Sequence, residues 1–101
     1  MGLNTSKLEL VVIGKQPTIR GDCDMAAARD IEAWLGELEE GPLEVDLSGV
    51  TFFDASALRA FLNMRRRNRH LRLVNPSKAV LNVLDITGTS EYLIDGRDIF
   101  S

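Results

Sequence analysis

Leu43-Glu44-Val45-Asp46-Leu47-Ser48-Gly49-Val50-Thr51-Phe52-Phe53-Asp54-Ala55-Ser56 is the stretch from which the fold can be read. Leu43, Val45 and Leu47 alternate with Glu44 and Asp46, the period-two pattern of a half-buried strand, and Ser48-Gly49 is its exit. Val50 to Phe53 bridges to Asp54, a good helix N-cap, after which Leu58, Phe61 and Leu62 return at helical spacing. A strand leading into an amphipathic helix is the repeating unit of an α/β sheet.

The same reading extends in both directions. Upstream, Leu8, Leu10 and Val12 define a strand from about Lys7 to Ile13, Gly14-Lys15-Gln16-Pro17 a turn, and Thr18 to Arg20 a short second strand paired with the first as a hairpin. Asp24 then caps a helix carrying Ala28, Ile31, Leu35 and Leu38 on one face, ended by Gly41-Pro42. Downstream, the helix from Ala55 reaches about Asn68, and Leu71, Leu73 and Val74 form a further strand. Asn75-Pro76-Ser77 is a turn and cap, Lys78 to Ile86 a third helix, and Gly88 its stop. Tyr92 to Ile94 reads as a short edge strand, and Ile99-Phe100 as a second apolar piece. A hairpin followed by alternating helices and strands predicts an α/β fold: a mixed four- to five-stranded sheet with helices packed on one face.

Length and charge narrow the function classes. A chain of 101 residues, 45% hydrophobic and 27% charged, holds one core and has little room for a second. Fifteen acidic against twelve basic residues, a net charge of -3, oppose binding to a phosphate backbone, so no direct nucleic-acid contact is expected. No apolar run approaches the ~20 residues of a membrane-spanning helix, so no membrane insertion is expected. One cysteine, Cys23, cannot form an internal disulfide, and no secretory signal pattern opens the chain; the expected compartment is the cytoplasm. Met1-Gly2 with Ser6 fits a myristoylation pattern formally, but that pattern has few fixed positions.

No catalytic or cofactor constellation assembles. Arg65-Arg66-Arg67, Arg69, His70 and Arg72 are best read as a solvated helix end, with an acidic partner as the other reading, because no aromatic residues interleave to stack bases. The one histidine, His70, stands a helix length from Ser56, about 20 Å at 1.5 Å per residue, too far for a Ser-His pair. Cys23 lies between acids that raise a thiol pKa. Asp22, Asp24 and Asp54 could supply hard oxygen ligands, but their spacing matches no metal loop and caps account for them. There is no Gly-rich phosphate loop. Asp54-Ala55-Ser56 remains: a hydroxyl in the first turn of a helix, where amides and the dipole favour a phosphate.

Gly21-Asp22-Cys23-Asp24, the stretch Leu43 to Ser56, Leu71-Arg72-Leu73-Val74-Asn75-Pro76 and Val83-Leu84-Asp85-Ile86-Thr87-Gly88 together resemble the STAS family, whose fold is that of bacterial anti-sigma factor antagonists. The resemblance covers about Leu8 to Leu93. It implies a single STAS domain over residues 1–101, with a core of about 7–94 and a short tail, 95–101. It also implies a non-enzymatic regulator that docks on an anti-sigma factor acting as serine kinase, releases a sigma factor, and is reset by a phosphatase. In the family's Asp-Ser-Ser-Gly motif, Asp54 matches the Asp, Ala55 the first Ser, Ser56 the phosphorylated Ser and Ala57 the Gly.

The partner surface implied by this match comprises Asp22, Asp24, Asp54, Ala55, Ala57, Leu58 and Arg59, with Ser56 as phosphoacceptor. Neither cofactor nor metal is expected. Ala57 in place of Gly is expected to add a methyl where a partner approaches. The alternative implied by the resemblance is a constitutive subunit docking on another protein, such as the ATPase of a lipid-transport ABC complex. A monomer or weak dimer is compatible with either.

Overall fold

The structure, a computed structural model, describes residues 3–4, 8–38 and 41–96. In chain order it comprises β1 (Leu3–Asn4), β2 (Leu8–Ile13), β3 (Gln16–Cys23), α1 (Met25–Glu37), β4 (Leu43–Phe53), α2 (Ala55–Arg67), β5 (Leu71–Val74), α3 (Lys78–Thr87) and α4 (Ser90–Leu93). The strands form one mixed sheet in the order β1-β2-β3-β4-β5. The first three run antiparallel, and β4 and β5 join in parallel after crossovers through α1 and α2.

The hairpin turn is shorter than the sequence suggests. Ile13 pairs with Gln16, so only Gly14-Lys15 turn, with Gly14 at φ 65°, and Pro17 already lies in the strand opposite Val12. A positive φ at this position is why glycine stands there.

The inner sheet face carries Leu8, Leu10, Ile19, Cys23, Val45, Leu47, Val50, Phe53, Leu71 and Leu73. Ile31, Trp34 and Leu35 of α1, Phe61 and Met64 of α2, Val80 and Leu84 of α3, and Leu93 of α4 close over it. Phe53 stacks on Phe61 with ring centroids 6.0 Å apart, tying the end of β4 to the helix that follows it. The outer face carries the ion pair of Arg20 with Glu9 at 3.2 Å.

β4 does not alternate strictly. Thr18 pairs with Asp46, Arg20 with Gly49, Gly21 with Val50 and Asp22 with Phe52, so β4 gains a residue on β3 at two register shifts. The first brings Val50 inward out of phase with Leu47, and the second returns Phe53 inward. Gly49 sits beneath the Arg20 side chain, where a Cβ would approach Arg20 Cγ to 2.7 Å. Asp46 locks the β4–β5 edge. Burial alone would raise its pKa, but hydrogen bonds from Asn75, from the Ser48 hydroxyl and from the Ser48 amide, with the charge of Arg20, hold it below the ordinary value.

Two expectations are corrected. Tyr92 and Leu93 belong to the helix α4, not to an edge strand; the fifth strand is instead β1, which pairs Leu3 with Leu10. Ile99-Phe100 lie outside the described residues. Arg65 is not solvated: it is 2% exposed, its guanidinium lies 4.7 Å from the Tyr92 ring centroid, and its Nη2 donates to the Gly96 carbonyl at 3.2 Å. A cation over an aromatic face inside a protein is stabilising, and here it holds α4 to α2. Arg66 and Arg67 do remain exposed. Replacing Arg65 by Ala is expected to lower stability by about 2–4 kcal/mol, whereas Arg66→Ala stays within about 0.5 kcal/mol, measured as urea unfolding midpoints.

Candidate partner-docking site

The C-terminal ends of β3 and β4 create the site. Cys23 pairs with Phe53, and the Asp54 amide donates to the Cys23 carbonyl at 3.2 Å. Both strands pass at once into helices, so the N-termini of α1 and α2 emerge side by side. Asp24 Oδ1 accepts from the Ala27 amide at 2.9 Å and Asp54 Oδ1 from the Ala57 amide at 3.0 Å, each an N-cap satisfying a donor that the helix cannot. Asp22, on the outer face, accepts from the Thr51 hydroxyl at 2.8 Å.

The structure therefore brings Asp22, Asp24 and Asp54 together, and Cys23 registers their field. Burial pushes its thiol up, and the charges of Asp22, Asp24 and Asp54 push it further, to about 12. With the side chain 0% exposed, this thiol is part of the core and not a nucleophile. Among the described residues no group of three or more His, Cys, Asp or Glu side chains is placed to hold a metal ion, and no helix is long and apolar enough to cross a membrane.

Ser56 is half-buried in the first turn of α2, with Ala55 and Arg59 exposed beside it. Ala57 and Leu58, expected on the contact surface, turn inward instead and are 0% and 7% exposed. The reason is helical geometry: α2 must present Ala57, Leu58, Ala60, Phe61 and Met64 to the sheet, and that stripe begins within the first turn. The Ala57 methyl thus packs into the core and does not stand between this face and a partner. His70 is exposed beyond the far end of α2. A recess of about 490 Å³, lined by Leu35, Leu38, Leu43, Met64, Arg67 and His70, also opens at that opposite end.

Two residues beside the aspartates escaped sequence reasoning. Phe52 is 49% exposed and pairs in register with Asp22; Met25, directly after the Asp24 cap, is 73% exposed. The signal for Phe52 was present, because adjacent strand residues point to opposite faces and Phe52-Phe53 cannot both enter the core.

The cap geometry predicts that Asp54→Ala costs about 1 kcal/mol of stability while Asp54→Asn costs less, read from thermal midpoints. The buried thiol makes a pH prediction. The folded chain keeps the Cys23 proton above the ordinary value of 9.0, where the unfolded chain releases it, so unfolding gains ground as pH rises from 9.0 towards about 12. Relative to Cys23→Ala, the native protein should lose stability across that window, and its thiol should resist alkylation at pH 8 until the chain is unfolded.

A family model described as "Mlab, STAS domain" matches residues 15–95, the whole span from the hairpin turn to the residues after α4. No curated protein matches the sequence significantly. With its hairpin-led mixed sheet, its one-sided helices and a family match over most of its length, the chain belongs to the STAS domain family.

Proposed function

We propose that this STAS domain is an anti-sigma factor antagonist, a cytoplasmic docking protein switched off by phosphorylation of Ser56. STAS domains are in general regulatory, protein-binding and non-catalytic. The observation that carries the reading is the position of Ser56: half-buried in the first turn of α2, whose cap Asp54 stands with the α1 cap Asp24 and with Asp22 of β3 around one buried thiol.

The physical logic of the switch follows from charge. A helix N-terminus tolerates a phosphate, so adding one of about -1.5 to -2 need not unfold α2. Docking is where the dianion acts. Pressed against a partner beside Asp54 and Asp24, it meets like charge and loses hydration, a penalty of several kcal/mol. Three to four kcal/mol weakens binding by a few hundredfold. A phosphatase that removes the group restores docking. The substitution of Ala for the usual Gly at Ala57 leaves this face unchanged, because its methyl points inward.

A second reading keeps the fold and removes the switch: constitutive docking on the ATPase of a lipid-transport ABC complex. It is favoured by Ala55, exposed where the family motif has its first Ser. Incubation with the cognate anti-sigma kinase and ATP, followed by intact mass and peptide mapping, distinguishes the two. The first reading expects one phosphate on Ser56, none on Ser56→Ala, and a few-hundredfold weaker kinase binding by Ser56→Asp. Phosphate elsewhere, or none, overturns it. Co-purification with an ABC ATPase that Ser56→Asp leaves intact supports the second.

A further inference from the structure

We propose that Phe52 and Met25 are the apolar anchors of the face around Ser56, and that they fit a partner protein presenting an apolar recess rimmed by Lys or Arg. This rests on the reading that the face docks a protein.

Four large hydrophobic side chains are exposed among the described residues: Ile13, Met25, Phe52 and Ile86. Single exposed apolar residues are ordinary. Ile13 borders the hairpin turn, and Ile86 stands alone at 85% exposure on α3. Met25 and Phe52 differ because both stand at the end of the sheet where the aspartates gather, where β3 and β4 pass into α1 and α2. Phe52 lies directly across the strand pair from Asp22, and Met25 follows Asp22 by three residues, just past the Asp24 cap.

Charge names the partner. Asp22, Asp24 and Asp54 each engage one oxygen, Oδ1, within the fold. Each Oδ2 has no hydrogen bond among the described residues, and a carboxylate so held accepts strong bonds from cationic donors. Every neighbour acting on Cys23 at the centre of this group is negative. Arg29 and Arg59 are exposed one turn further along α1 and α2. An aromatic and a methionine amid carboxylates is the composition of an interface centre with a charged rim: the apolar pair sets affinity, and the acids set orientation and encounter rate.

The test is calorimetric titration of the anti-sigma kinase with wild type, Phe52→Ser, Met25→Ser and Ile86→Ser, with Phe52→Tyr as the conservative rescue. Phe52→Ser is expected to weaken binding ~30- to 100-fold and Met25→Ser ~10-fold, with Phe52→Tyr and Ile86→Ser close to wild type. Asp24→Asn, which keeps the cap, should weaken binding and flatten its salt dependence. Thermal midpoints of all variants near wild type separate lost contact from lost fold.

Wild-type affinity in both Phe52→Ser and Met25→Ser overturns the anchors even where Ser56 is phosphorylated. Weakened binding by those variants to a kinase that leaves Ser56 unmodified supports the anchors and sinks the switch. A wild-type dimer in sedimentation that Phe52→Ser dissociates reassigns the face to a second copy of this chain. No binding by wild type overturns both proposals.

Discussion

The parallel pairing of β3 with β4 is the constraint on which the rest of this molecule depends. Because Cys23 and Phe53 lie level and each strand turns straight into a helix, two helix N-termini are forced into one neighbourhood. Their unsatisfied amides call for acceptors, and Asp24 and Asp54 supply them. Capping chemistry thereby concentrates carboxylates at one end of the sheet, with Asp22 added from the outer face. The positive ends of the two helix dipoles offset part of the repulsion within that concentration.

The irregularity of β4 shapes the same end. Strict alternation from Val45 and Leu47 would bury Gly49 and Thr51 and expose Val50. The two register shifts against β3 bury Val50 instead and leave Thr51 outside, where its hydroxyl reaches Asp22. They also restore Phe53 to the core, to stack on Phe61, and so commit Phe52 to the exterior. A bulged strand next to a binding face re-aims side chains in this way. The apolar and acidic parts of the face thus share one cause.

Much of this was legible in the residues. The caps Asp24, Asp54 and Ser77 stand where the sequence places them, because a cap bonds only to its own first turn. The helices and the alternating strands follow the apolar period. The failures have a common character. Tyr92 to Ile94 has a strand composition, yet α4 forms there because Tyr92 receives Arg65 from α2. Arg65 reads as one of three solvated arginines until its partners, Tyr92 and Gly96, come to it from the far end of the chain. Ala57 and Leu58 belong to the family motif, and the motif does not record which of its members face the core.

The sequence by itself determined the class of fold, the order of its elements, the helix caps and the candidate serine, since periodicity and capping act over a few neighbouring residues. The resemblance implied that Asp22, Asp24 and Asp54 share one surface; only the tertiary structure decided that Phe52 and Met25 stand beside them and that Arg65 is buried. Those facts depend on which strands pair and in what register, and pairing is settled by the burial of the whole inner face at once.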